Sequence, residues 1–242
     1  MNYFYISGTS RGIGKALAEE LLKDSNNYVI GFSRTNSVKH KHFEFIPIDL
    51  SDTAKAMQFS FIDIIDADSI TLINNSGMIG QVDHMGKIEN NSLIETFNVN
   101  VISPAILINN FIIAYQNISC KKLVINISSG AARNPIESWG AYCASKAALD
   151  MYTSVAQLEQ DVLDLSSPVK FFSIAPGIVD TQMQDQIRNV SHDSFGEVDK
   201  FIAYKEENKL LQASLVAIKI KNIIENSDKI SKTIIDLREL DF

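Results

Sequence analysis

Cysteine is nearly absent: Cys120 and Cys143 are the only two in the chain. Two thiols cannot build a disulfide framework, so burial and hydrogen bonding must hold the fold, and a cytoplasmic setting is expected. Basic residues are in deficit, 22 against 29 acidic ones, for a net charge of −7. That argues against a broad surface for nucleic acid or an anionic membrane, while leaving room for a local basic pocket. No leader of the charged, apolar, then small-residue kind opens the sequence, because "MNYFYISGTSRGIG" runs straight into a strand-like segment and glycines. The longest apolar stretch, "VISPAILINNFIIAYQNI" at 101–118, is interrupted by Pro104, Asn109 and Asn110 and reads as a buried helix rather than a bilayer span. Linkers, repeats and low-complexity blocks are lacking as well. Metal ligands are sparse: His40 and His42 in "VKHKHFE" are interleaved with lysines, and His84 and His192 stand alone, so no metal is expected.

What is present is alternation. A chain of 242 residues with 45% hydrophobic and 21% charged residues suits one well-buried domain spanning 1–242. Seven short runs rich in β-branched and aromatic residues recur: "YFYIS" (3–7), "YVIGFS" (28–33), "FEFIPI" (43–48), "ITLIN" (70–74), "KLVINIS" (122–128), "VKFFSI" (169–174) and "KTIIDL" (232–237). They are apolar on both faces, as buried parallel strands are, and helix-length segments separate them. The expected fold is α/β, a Rossmann-type doubly wound, seven-stranded parallel sheet with helices on both faces. Helical periodicity marks 12–23, where Ile13, Leu17 and Leu21 share a face, 144–163, and 214–225 with Leu215, Ile218 and Ile223. The least patterned region, 182–210, follows the sixth strand. Ligands bind beyond the carboxyl ends of such strands, so it is a candidate substrate lid, the plain alternative being a mobile surface loop.

"SGTSRGIG" closes the first strand and opens the first helix, with Gly8, Gly12 and Gly14 spaced G-x3-G-x-G. Such a turn needs positive φ or close backbone approach, and it presents helix N–H groups to a pyrophosphate, with Ser10, Arg11 and Ile13 beside the glycines. A glycine turn alone is weak evidence; its place after the first strand of a βαβ unit strengthens it. An NAD site puts a carboxylate roughly twenty residues on, for the ribose 2′-OH, whereas an NADP site puts Arg or Ser there for the 2′-phosphate. Here the second strand ends in Ser33 and Arg34 with no acid, and Arg11 adds a second positive charge. The expected cofactor is NADPH/NADP+, with Asp49 and Leu50 at the third strand's end against the adenine.

In "WGAYCASKAALDMY", Lys146 follows Tyr142 by one helical turn, so the two side chains share a face. A free phenol has a pKa of about 10, and a nearby ammonium favours its phenolate, which suits proton transfer near neutrality. "NISSG" offers Ser128 and Ser129 as a hydroxyl to hold a carbonyl oxygen. An isolated Tyr-x3-Lys pair is usually an ordinary amphipathic helix. The glycine turn, the strand-end serines and "NNSG" at 74–77 in the same chain make this one different.

Together these landmarks resemble the short-chain dehydrogenase/reductase family over almost the whole chain: "SGTSRGIG", Asp49, "NNSG" with Asn75, "NVN" at 98–100, "NISSG", "YCASK", and "PG" at 176–177 followed by Thr181. The resemblance selects Ser129 over Ser128, because the family serine lies thirteen residues before the tyrosine. It implies that Asn100 holds a water leading to Lys146, that Lys146 bonds the nicotinamide ribose, and that Pro176, Gly177, Val179 and Thr181 lie at the carboxamide end. In the implied reduction, hydride passes to a carbonyl carbon while Tyr142 donates the proton, Ser129 positions the oxygen and Lys146 lowers the phenol pKa. Ser7, Ser76 and Ser103 depart from the family's Thr, Ala and Gly, and none removes a group the chemistry needs.

Within the family, "SIAPGIVDTQMQDQIR" looks most like sepiapterin reductases and bacterial benzil reductases, which implies a vicinal dicarbonyl substrate. Trp139 and Met183, with Phe195, Phe201 and Tyr204, are candidate lining, and Asp236 is a candidate partner for a pterin amine. A 3-oxoacyl-carrier-protein reductase should show a basic docking surface that a charge of −7 disfavours. Ser33 and Arg34 oppose an NAD-dependent alcohol dehydrogenase, and the intact Ser129, Tyr142 and Lys146 oppose a non-enzymatic NADPH sensor. The helices at 99–116 and 144–163 are those through which family members pair, so a homodimer or homotetramer is expected.

Overall fold

The structure, a computed structural model, describes residues 1–163 and 165–239. Among these residues the strands β1 (Asn2–Ser7), β2 (Asn27–Ser33), β3 (Phe43–Pro47), β4 (Ser69–Asn74), β5 (Lys121–Ile127), β6 (Val169–Ala175) and β7 (Ile234–Asp236) form a single sheet. All pairings are parallel, in the order β3-β2-β1-β4-β5-β6-β7. The helices are α1 (Gly12–Leu21), α2 (Thr53–Gln58), α3 (Asn90–Phe97), α4 (Ser103–Tyr115), α5 (Gly140–Val162), α6 (Gln182–Arg188), α7 (Val198–Glu206) and α8 (Ala213–Glu225). This is the doubly wound parallel sheet that the alternation predicts. Its strand order reverses between β1 and β4, which opens a crevice at their carboxyl ends.

Strand alternation sorts the apolar residues into two layers. Phe4, Ile6, Leu123, Ile125, Phe172 and Ile174 face α1 and α8, whereas Tyr5, Leu72, Val124 and Phe171 face the side of α4 and α5. In α1 the predicted face is the buried one, with Leu17 and Leu21 in the core and Ile13 packed against it. In α8 the prediction is corrected: Leu215 and Ile218 are exposed, and Val216, Ala217, Ile220, Ile223 and Ile224 face the sheet. The segment holds apolar residues on more than one side, so a three-residue periodicity does not single out the inner one.

Helix α5, which carries Tyr142 and Lys146, is tied to the sheet by polar contacts. β7 pairs only with Ser173–Ala175 of β6, which leaves the earlier N–H groups of β6 without a ladder partner on that edge. Gln160 Oε1 accepts from Val169 N (2.8 Å) and Gln157 Oε1 from Phe171 N (2.8 Å), satisfying them as buried backbone requires. Ser173 Oγ donates to Asp150 Oδ1 (2.6 Å), and Asn126 Nδ2 to Thr153 Oγ1 (2.8 Å). On the neighbouring helix α4, Leu107, Ile108 and Phe111 are core residues, so its inner side is buried as predicted. By length and composition alone, the helical stretch Asn90–Tyr115 is apolar enough to cross a membrane. Its outer side leaves Ile94, Ile102 and Ile113 exposed, and adjoining α5 leaves Met151, Val155, Leu158 and Val162 exposed.

Residues 182–210 are not an unstructured loop. They form α6 and α7, and Ile187, Phe195, Val198 and Phe201 join Ile79, Val82, Trp139 and Tyr142 in a third apolar cluster over the carboxyl ends of the strands.

Candidate active site

The three glycines of the first turn have two different reasons. Gly8 (φ +74°) and Gly12 (φ +59°) sit in left-handed backbone, which side chains disfavour. Gly14 is needed for space: a Cβ there would lie 2.4 Å from the Gly8 carbonyl oxygen and 2.3 Å from Asn75 Nδ2. Asn75 ties the turn to the β4 loop, its Nδ2 donating to Ser7 O (2.9 Å) and Gly8 O (3.3 Å). Ser7 Oγ accepts from Asn75 N (2.9 Å) and Ser76 N (2.8 Å), so a serine suffices where the family has threonine. Arg11 caps α1 with extended backbone and no side-chain hydrogen bond, leaving the first-turn N–H groups available to an anion.

On the β2–β3 side of the same cavity lie Ser10, Ile13, Ser33, Arg34, Asp49 and Leu50. Ser33 Oγ donates to Thr35 O (2.7 Å). Burial raises the Asp49 pKa, but hydrogen bonds from Ser51 and the Arg34 charge outweigh it and hold the carboxyl below its usual value. Ser103 Oγ donates to Leu50 O (2.7 Å), so the serine that replaces the family's glycine anchors the third strand's end. Across the cavity, Thr181 Cγ2 lies 3.4 Å from where a Cβ on Gly12 would sit, and Gly177 (φ +82°) follows Pro176. Val179 bridges Leu211.

Tyr142 and Lys146 lie side by side. Lys146 Nζ is 5.8 Å from the Tyr142 ring centroid and donates to Ile127 O (2.8 Å). Burial pushes the Lys146 pKa down to about 8, with the Asp150 charge opposing it. Burial raises the Tyr142 phenol and the Ser129 hydroxyl offsets only part of that, so the phenol stands above its usual value rather than lowered as expected. Ser129 Oγ also accepts from Ala131 N (3.1 Å), whereas Ser128 Oγ is buried without a partner. Trp139 stands edge-on to the Tyr142 ring at 5.7 Å.

Asn100 is fully buried in a π-helical turn, Asn98–Ile102. Its amide is committed, Nδ2 donating to Met78 O (2.9 Å) and Ser145 Oγ (3.0 Å), and Oδ1 accepting from Met78 N (2.9 Å). Gly14 serves the turn through the room that its missing side chain leaves against Gly8 and Asn75. Met183, Phe201 and Tyr204 reach the cavity, but Phe195 packs between Trp139 (5.7 Å) and Phe201 (5.6 Å) inside the cluster. Asp236 is not free for an amine, because Arg238 Nε and Nη2 hold its two oxygens at 2.9 and 2.6 Å. Sequence reasoning missed Arg238, which lines the cavity, and Asp150, one turn below Lys146. The second had a legible signal, an acid four places after the lysine on the same helix face.

The glycine turn, Ser33 and Arg34, and Ser129, Tyr142 and Lys146 thus face one continuous cavity of about 960 Å³. The chain belongs to the short-chain dehydrogenase family, whose model matches residues 2–191. It is an oxidoreductase acting on the CH–OH/C=O group, in a family that uses nicotinamide cofactors. A benzil reductase ((S)-benzoin forming) of Bacillus cereus is 37% identical over 241 residues, covering 94% of this chain and 96% of that one. Sepiapterin reductase of Rattus norvegicus is 30% identical over 211 residues, 78% of each chain. A short-chain dehydrogenase/reductase structure from Saccharomyces cerevisiae shares the fold with a TM-score of 0.82, at 24% identity, over 99% of this chain and 97% of that one.

Proposed function

We propose that the protein is a cytoplasmic, NADPH-dependent carbonyl reductase whose whole chain forms one cofactor-binding domain and whose substrate is a vicinal dicarbonyl. The observation that carries this reading is the single cavity joining Arg11, Ser33 and Arg34 at one end to Ser129, Tyr142 and Lys146 at the other. The residues present fit the dinucleotide: the close approach of Gly14 to Gly8 leaves no room for a side chain, and the second strand ends in Ser33 and Arg34 rather than an acid. The turn of Gly8, Gly12 and Ile13 would hold the pyrophosphate, with Asn75, Lys146 and the Pro176–Thr181 segment at the nicotinamide end. When bound, the reduced nicotinamide supplies a hydride to the carbonyl carbon. Tyr142 donates its phenolic proton to the carbonyl oxygen, which leaves an alcohol and a phenolate. Lys146 stabilises that phenolate by its charge, Ser129 donates a hydrogen bond to the reacting oxygen, and Asn100 positions the Met78 backbone beside them. Trp139 and Met183 bound the substrate end. The similarity to a benzil reductase and a sepiapterin reductase supports a dicarbonyl substrate.

The test follows cofactor oxidation with benzil, 1-phenyl-1,2-propanedione and sepiapterin, using NADPH beside NADH. Tyr142→Phe should lower kcat by about 10²–10⁴-fold, as expected on losing a general acid, with NADPH affinity within about twofold of wild type. Unchanged turnover in that variant, or a preference for NADH, would contradict the assignment.

A further inference from the structure

Beyond Ser129, Tyr142 and Lys146, Arg238 is a charged side chain that lines the same cavity without a role in the reaction. Arg238 follows β7, and Asp236 grips it through both carboxylate oxygens and through the Arg238 backbone N–H (3.0 Å). Asp236 is buried, whereas the Arg238 side chain is 60% exposed. The carboxylate therefore fixes the guanidinium from behind while its front faces the cavity. A guanidinium has five N–H donors; two are taken by Asp236, and three are left for another acceptor.

Its position is set by two glycines. The Arg238 methylenes Cγ and Cδ lie 3.6 and 3.7 Å from where a Cβ on Gly177 would be, and Nη2 lies 3.8 Å from the same point on Gly130. Gly130 follows Ser129, and Gly177 follows Pro176. The guanidinium thus spans the two loops that flank the reacting carbonyl in the proposed reaction, next to the serine that holds its oxygen. Planar, fixed and always charged, it suits an sp² oxygen better than a flexible ammonium would.

The geometry points to Arg238 as a specificity-determining residue that binds the second oxygen of the substrate, a carbonyl or carboxylate oxygen on the carbon next to the one reduced. This rests on the reductase reading above and deepens it. A simple ketone has nothing to offer the guanidinium, whereas a 1,2-diketone or a 2-oxo acid places an oxygen there as the first carbonyl docks on Ser129 and Tyr142.

The experiment compares 1-phenyl-1,2-propanedione, phenylglyoxylate and 2,2,2-trifluoroacetophenone, the last an activated ketone with no second oxygen. Arg238→Met should lower kcat/KM for the better of the two dicarbonyls by about ten- to a hundredfold, the scale of a lost charge-assisted hydrogen bond. Trifluoroacetophenone turnover should stay within about threefold. Asp236→Asn combined with Arg238→Met removes the stranded buried carboxylate and should show the same selectivity loss, with thermal unfolding as the check on folding. A larger loss with phenylglyoxylate than with the dione would support the proposal with a 2-oxo acid as substrate class, and the reverse would support it with a diketone. Equal losses on all three carbonyls, or none, in the double variant would overturn the role of Arg238 while leaving the reductase reading intact. A wild-type protein inert toward all three would overturn both.

Discussion

Replacing Gly14 with alanine separates space from backbone freedom as the reason for a glycine. The residue is helical, so a side chain would ordinarily stabilise it, by about 1 kcal/mol for alanine over glycine in a helix interior. The added methyl would instead lie 2.4 Å from the Gly8 carbonyl oxygen and 2.3 Å from Asn75 Nδ2. Overpacking of this kind costs about 1–3 kcal/mol. If Asn75 yields, its bonds to Ser7 O and Gly8 O weaken, at about 0.5–1.5 kcal/mol each. Set against the helix gain, the net loss is about 1–5 kcal/mol, which for a chain of this size lowers Tm by about 2–20 °C. The shift of α1 away from the turn should also weaken NADPH binding, read by quenching of protein fluorescence or by calorimetry. Gly86→Ala is the control: its φ is +95° with nothing within 4 Å of the new Cβ, so it should cost about 1–2 kcal/mol in backbone strain and leave NADPH affinity unchanged. A Gly14→Ala protein as stable as wild type, with the same affinity, would refute the steric account.

The pH dependence of reduction follows from Lys146. Burial lowers its pKa to about 8 against the opposing charge of Asp150, so the cation that stabilises the Tyr142 phenolate is present below that pH and lost above it. The kcat/KM for the carbonyl should therefore fall as pH rises through about 8, and Asp150→Asn, which removes the opposing charge, should move that limb to lower pH; a limb moving upward would refute the coupling. The second concerns association: the exposed Val155 and Leu158 of α5, with Ile113 of α4 and Ile102 in the turn before it, should bury against a second copy. Leu158→Glu should then lower the mass measured by light scattering, and a wild-type protein already monomeric would refute it.

The doubly wound parallel sheet was legible because most strands are apolar on both faces and most are followed by a helix-length segment, which leaves few ways to wind the chain. Most of the proposed site was legible for the same reason, since Gly8, Gly12, Ser129 and Pro176 all fall at carboxyl ends of strands or in the turn after them, and Tyr142 stands in the first turn of α5. Arg238 was not, because its meaning depends on Gly130 and Gly177, more than 60 residues away in sequence, lacking side chains at the point where it lies. Asn100 was found through the resemblance alone, and nothing in the sequence says that its amide turns to the Met78 backbone and Ser145. Phe195 and Leu215 failed on direction alone, the first buried where lining was expected and the second exposed where core was expected.

The pairing of Tyr142 with Lys146 is set as much by the far end of α5 as by its own turn. Gln160, Gln157, Asp150 and Thr153 bond to β6 or β5 at 2.6–2.8 Å, and together they fix both the height of the helix along the sheet and its rotation about its axis. A turn of one residue, about 100°, would carry Lys146 away from Ile127 O and Tyr142 away from Ser129. Each tether is worth about 0.5–1.5 kcal/mol, a minor share of the fold's stability. Their greater effect is geometric, because a proton donor must be held at hydrogen-bond reach of the oxygen it serves. Seen this way, a Tyr-x3-Lys pair carries little information alone and a great deal when the same helix continues with polar residues that the sheet edge needs.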